Sequence, residues 1–117
     1  MAQMAKNIKN NNVRIPPQSI ESEKAVLGSI MLRKEAMHEV EDIITPESFY
    51  AEKHKKIFRA MLDLSVKNEP IDMLSLSTKL NEQKLLEAIG GNKYLAEIVN
   101  EVPSSVNVKH YAEIVQK

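Results

Sequence analysis

The sequence predicts an all-α fold, a compact orthogonal bundle of about six or seven short helices around one core. Three observations carry this. Apolar residues recur at i, i+3 or i+4 and i+7 in one segment after another, and no segment alternates apolar and polar residues as a half-buried strand would. Helix stop signals come at short intervals: Thr45-Pro46, Asn68-Glu69-Pro70, Gly90-Gly91 and Pro103. Aromatics make up only 4% of the 117 residues and Trp is absent, so the core must come from Leu, Ile, Val and six Met.

The first segment, Met1 to Arg14, carries no acidic group and only isolated apolar residues. It cannot bury enough surface to offset its conformational entropy, so residues 1–14 are expected to be a disordered tail. Pro16-Pro17 predicts an extended lead-in. The first helix is expected from Ser19, as N-cap, to about Leu32, with Glu21 and Glu23 in its first turns favoured by the helix dipole. Ile20, Leu27 and Ile30/Met31 line one side. Gly28 sits inside the apolar half, where glycine costs about 1 kcal/mol relative to alanine. A close-packed neighbour is the expected reason, and the helix carrying Ile57, Phe58 and Met61 is the expected neighbour.

A second helix covers EAMHEVEDII, with Ala36, Met37, Val40, Ile43 and Ile44 inward and Glu35, Glu39, Glu41 and Asp42 outward. Thr45 and Pro46 supply a cap and a first helical residue for the next turn. The strongest helix runs from about Tyr50 to Lys67, burying His54, Ile57, Phe58, Met61, Leu62 and Ser65. Asp72 caps a further helix marked by Met73, Leu76 and Leu80. Leu85, Leu86 and Ile89 run into Gly90-Gly91, which permit positive φ and a sharp reversal. Helices follow from Asn92 to Val102, burying Tyr94, Leu95, Ile98, Val99 and Val102, and from near Asn107, with Val108, Tyr111, Ala112 and Val115 as its stripe.

Composition excludes several function classes. The 16 basic and 16 acidic side chains cancel, whereas a duplex-binding domain ordinarily shows a basic excess because phosphate contacts dominate affinity. There is no cysteine, hence no disulfide and no thiolate metal site. No apolar run approaches the roughly 20 residues that span a bilayer, and the amino terminus lacks a secretory apolar core. A cytoplasmic location with no membrane partner is expected.

No catalytic constellation emerges. The glycines at 28, 90 and 91 precede no Lys-Ser/Thr pair, so there is no phosphate-cradling loop. His38-Glu39 lacks the second histidine of a helical zinc site, and His54, on an apolar stripe, reads as a packed, hydrogen-bonded residue. The one local charge feature is Lys53, Lys55, Lys56 and Arg59, either a solvated face balanced by Glu47 and Glu52 or a patch for an acidic partner or single-stranded nucleic acid. The aromatic interleaving that stacks bases is missing. The residues alone say helical binding module, with no catalytic, cofactor-binding or metal-binding residue.

Taken together, the motifs say more. Pro17 onward reads P-x-S-x-E-x-E-x-x-V-L-G-S-I-M-L. There follow Phe49-Tyr50 with His54, Ile57-Phe58 and Ala60-Met61, then Pro70-Ile71-Asp72, Gly90-Gly91 with Tyr94-Leu95, Pro103-Ser104, Asn107, and Tyr111-Ala112-x-Ile114-Val115. In order and spacing this resembles the N-terminal domain of bacterial replicative DNA helicases, the DnaB family, from about Ile15 to the carboxyl end. Arg33-Lys34 departs from the pattern, where a turn-forming Asn or Asp is expected.

The resemblance implies a non-catalytic collar domain spanning 15–105, with 106–117 starting a truncated helical hairpin or linker helix. It implies pairing of such domains into dimers within a hexamer, recruitment of primase through its C-terminal domain, and a helicase loader as a further partner. No strong nucleic-acid binding by this stretch is expected. ATP and Mg2+ would belong to a carboxy-terminal motor that unwinds DNA 5'-3' with ATP hydrolysis. The alternative is a freestanding helical protein–protein adaptor. Tyr111, Ile114 and Val115 are the candidate interface residues: Ile114 lies roughly 100° off the stripe of its helix, which is what a helix covered on two sides should show.

Overall fold

In the computed structural model, which describes residues 17–102 and 107–117, one helix is enclosed by the others. The elements are α1 (Pro17–Leu32), α2 (Glu35–Val40), a 3-10 turn (Pro46–Ser48), α3 (Glu52–Val66), α4 (Met73–Glu82), α5 (Gly91–Asn100) and α6 (Val108–Gln116). The described residues contain no strand, as the periodicity predicts. α1 packs against α2, α3, α5 and α6, and α4 closes the far side against α3 and α5. None of these helices is long and apolar enough to cross a membrane.

The reason α1 sits at the centre is its composition. From Ala25 through Met31 every residue is buried, and Ser22 and Glu23 are buried as well. A helix buried on all sides must be an inner helix, so the one-sided stripe expected for it is too narrow. Its start also differs. Pro17 is already helical, consistent with proline's fitness for a first turn. Ser19 is therefore inside the helix instead of capping it, and Glu21 and Glu23 lie beyond the first turn, which holds no acidic residue. The expected tail 1–14, Pro16 and the Pro103 stop lie outside the described residues.

α2 is shorter than its periodicity suggests, ending at Val40. Ile44 is still buried, because the turn after α2 carries it inward. At the Arg33-Lys34 junction no side chain caps α2. Backbone bonds hold the turn instead, from Arg33 N–H to the Ser29 carbonyl at 2.8 Å and from Ala36 N–H to the Arg33 carbonyl at 3.0 Å. α3 buries His54, Ile57, Phe58 and Met61 as expected, but Ala60 and Leu64 complete the stripe while Leu62 and Ser65 are only half-buried.

The ends of α3 and α4 and the turn before α5 share one geometry. After α3, Glu69 N–H bonds the Leu64 carbonyl at 2.9 Å and Asn68 N–H the Ser65 carbonyl at 3.0 Å, with Asn68 at φ 58°. After α4, Leu85 bonds Leu80 at 2.8 Å and Lys84 bonds Asn81 at 3.0 Å, with Lys84 at φ 61°. Before α5, Gly91 bonds Leu86 at 2.8 Å and Gly90 bonds Glu87 at 3.1 Å, with Gly90 at φ 110°. After α3 and α4 these paired bonds around a left-handed residue satisfy the orphan carbonyls of the ending helix; before α5 they close a turn.

Caps fix the starts. Thr45 and Ser48 form a capping box around the 3-10 turn, and Asn107 Oδ1 accepts from His110 N–H at 3.2 Å. Asp72 Oδ1 accepts from Ser75 N–H at 2.8 Å, and Ser75 Oγ accepts from Asp72 N–H at 3.1 Å. The Ser75 backbone bond, then its hydroxyl, holds the Asp72 pKa below its ordinary value of 3.8. The stabilisation is complete above the unfolded-state value and disappears as pH falls through the lowered folded-state value. Asp72→Ala should therefore cost about 1 kcal/mol at neutral pH, with a difference from the parent chain that shrinks below about pH 4. Thermal unfolding at the two pH values checks both parts.

Candidate functional site

The polar chemistry of the interior converges on one chain of three side chains drawn from three helices. Glu23 comes from α1, His54 from α3 and Tyr94 from α5, with exposures of 2%, 0% and 8%. Glu23 Oε1 lies 2.6 Å from His54 Nδ1, and His54 Nε2 lies 2.6 Å from the Tyr94 hydroxyl. Because a carboxylate can only accept, Nδ1–H donates to Glu23; with Nε2 accepting from the Tyr94 hydroxyl, each of these hydrogens has an acceptor. Glu23 also accepts from the backbone: Tyr50 N–H donates to Oε2 at 2.6 Å and Ala51 N–H to Oε1 at 3.4 Å. Those N–H groups stand at the start of α3, where Ala51 offers no side-chain cap. A glutamate from another helix instead holds the chain just before that helix.

The rings around the chain are packed. His54 stacks on Tyr94 at 5.9 Å and meets Phe49 edge-on at 6.4 Å, while Phe49 leans on Phe58 at 5.1 Å. The Lys53 amine lies 3.9 Å above the Tyr94 ring, a favourable cation–π position. Burial is the main cause that pushes the Tyr94 hydroxyl pKa up; the charge of Lys24 works against it and Glu97, Glu101 and Glu23 add to it. Burial opposes the charge on Lys24, but Glu97 and Glu101, each 3.3 Å away, more than offset it and raise its pKa. These two pairs tie α1 to the end of α5 at the surface, where ion pairs contribute little.

A second constraint is steric. A Cβ added at Gly28 would collide with Val102 Cγ2 and stand 2.9 Å from the Ile98 carbonyl oxygen. The close neighbour of Gly28 is thus α5 and the residues after it, and the expectation of the helix carrying Ile57, Phe58 and Met61 is corrected. α3 does pack on α1, but through His54 and the larger apolar side chains, which need no glycine opposite them.

The other singled-out residues are dispersed. Of the basic group, Arg59 pairs with Glu47 at 3.0 Å and Lys53 covers Tyr94, leaving Lys55 and Lys56, both half-buried, with no ion pair among the described residues. His38 is exposed and faces Glu41 at 3.2 Å. Among the described residues no three His, Asp or Glu side chains gather as metal ligands. On α6, Val115 is buried, whereas Tyr111 and Ile114 are half-buried. Ile114 borders a groove with Tyr50, Lys55 and Lys117.

The described residues form a closed, mainly aliphatic helical bundle held by an internal polar chain. The chain belongs to the DnaB-like helicase N-terminal domain family, whose model matches residues 15–117. It is 42% identical over 106 residues to the replicative DNA helicase DnaC of Bacillus subtilis, covering 91% of this chain and 23% of that protein. To the replicative DNA helicase DnaB of Geobacillus stearothermophilus it is 45% identical over 104 residues, 89% of this chain and 23% of that protein. The chain thus spans about a quarter of the length of these relatives. Its fold matches the crystal structure of the N-terminal domain of DnaB helicase from Mycobacterium tuberculosis with a TM-score of 0.82 and 36% identity, over 87% of this chain and 74% of that one. It also matches the structure of a DnaB-like replicative helicase studied for its interactions with primase, with a TM-score of 0.71 and 35% identity, over 80% of this chain and 22% of that one.

Proposed function

We propose that this domain is the collar module of a replicative helicase, pairing with copies of itself as dimers that build a hexamer and helping to recruit primase. In this reading it does no chemistry of its own. A carboxy-terminal motor in the same protein binds ATP and Mg2+ and drives 5'-3' unwinding, a helicase loader is a further partner, and the place of action is the cytoplasm. The observation that supports it most is the shared fold with the helicase studied for its primase interactions. The internal use of Glu23, His54 and Tyr94 is in keeping with it, since their polar atoms are taken up by one another and by backbone.

Ile114 tests the surface. It is half-buried on α6, while the residues that hold α6 to the core are Val108, Ala112 and Val115. Ile114→Glu should leave the melting temperature nearly unchanged and weaken binding of the primase C-terminal domain, or self-association, by about tenfold or more. Calorimetric titration and sedimentation read the two. Unchanged affinity in both would remove Ile114 from the interface. ATP turnover by the 117-residue chain would contradict the non-catalytic reading.

A further inference from the structure

Of the large apolar side chains exposed among the described residues, Leu32, Tyr50, Val66 and Leu74, Tyr50 stands apart by its setting. Its side chain is 61% exposed, yet its backbone N–H is held by the buried Glu23 carboxylate at 2.6 Å. It rises beside a groove of about 320 Å³ whose apolar surface comes from Phe49, Ile114 and Val115. A tyrosine on a fixed backbone suits a binding anchor, because little ordering is left to cost affinity.

The two lysines at this groove are left without a carboxylate partner among the described residues. Glu47 is engaged by Arg59 at 3.0 Å, and the Glu23 carboxylate is already bonded to His54 and two backbone N–H groups. Lys55 and Lys117, which also line the groove, have no ion pair among the described residues. Around Leu74 the situation is opposite, since Lys67 and Lys79 share that surface with Glu69, Asp72 and Glu82. The Tyr50 groove joins an apolar floor to two lysines that have no ion pair among the described residues.

The geometry points to this groove as a docking site for an acidic amphipathic segment of a partner protein, its apolar residues against Tyr50, Ile114 and Val115 and its carboxylates on Lys55 and Lys117. The inference rests on the reading of the domain as a protein-docking module. Single-stranded DNA fits less well: the groove offers one exposed aromatic, where base binding uses a series of them, and its floor is aliphatic apart from Phe49.

The test is a titration of the isotope-labelled chain, followed by amide chemical shifts, with three probes. These are a synthetic helical peptide of Leu and Glu, the same peptide with Lys in place of Glu, and oligothymidylate. The Leu/Glu peptide should bind preferentially at low salt and shift the amides of Tyr50, Lys55 and Ile114, with affinity falling as salt screens the charges. Tyr50→Ala should weaken it about tenfold at an unchanged melting temperature, and Lys55→Glu should erase the preference for the acidic peptide. Equal binding of both peptides, shifts centred elsewhere, or preference for oligothymidylate would overturn the proposal. So would concentration-dependent shifts of the same amides without peptide, which would assign the groove to a second copy. Primase binding that persists while the peptides fail would sink this site and leave the collar reading standing.

Discussion

Glu23→Ala is expected to lower stability by about 3–5 kcal/mol, the summed cost of leaving three donors without their acceptor at about 1–3 kcal/mol each. The substitution strands the His54 Nδ1 donor and the Tyr50 and Ala51 N–H groups in a site where Glu23 is 2% and His54 0% exposed. None of the three has another hydrogen-bond partner among the described residues, and an acceptor for His54 would have to be water entering a packed core. The loss should lower the melting temperature by roughly 12 °C or more, since about 1 kcal/mol moves a domain of this size by several degrees. Glu23→Gln offers a graded control. Its amide can still accept from His54, but it turns a donor toward the Tyr50 N–H, so a smaller loss of about 1–3 kcal/mol is expected. Denaturant unfolding measures both. A Glu23→Ala cost under about 1 kcal/mol would mean the carboxylate is replaced by water and does not lock the three helices.

Gly28 is the second position where a large effect is expected. Alanine is the better helix former by about 1 kcal/mol, so a helix judged alone would gain from Gly28→Ala. The structure reverses the sign. The new Cβ would stand 2.9 Å from the Ile98 carbonyl oxygen, a backbone atom that can retreat only if α5 shifts, and would collide with Val102 Cγ2. Overpacking of this kind costs about 1–3 kcal/mol, and Gly28→Leu should fall at the upper end or beyond. Melting curves of the two variants check it. An Ala variant as stable as the parent would show that the α1–α5 seam has room to open. Ser29, next along, is buried with a hydroxyl that has no partner among the described residues; it too is small.

Local signals were the most legible part of this chain. Thr45, Asp72 and Asn107 cap where their chemistry demands, Asn68 follows the end of α3 at positive φ, and Gly90 reverses the chain into α5 at positive φ. Each acts on its own neighbours, so sequence suffices to place it. Lys84 at φ 61° gave no such sign: the paired bonds that end α4 and the packing of Leu85 against the core accompany it. Long-range choices were harder. Gly28 announced a close neighbour without saying which one, because every other helix offered an aliphatic stripe. Within the lock, His54 was legible as a packed, hydrogen-bonded histidine, and Tyr94 as buried. Glu23 was missed, since a glutamate early in a helix has a sufficient explanation in the dipole. The signal was there in the spacing: Ile20, Glu23, Leu27 and Ile30 lie on one helical face, which puts a carboxylate in an apolar stripe. A charge there needs a buried partner.

The collar reading is tested most directly by sedimentation velocity of the 117-residue chain over a wide concentration range, with and without the primase C-terminal domain. A monomer that shifts toward a dimer as concentration rises, and a faster-moving complex when the primase domain is added, is the predicted result. A monomer at every concentration that sediments unchanged beside the primase domain would contradict it.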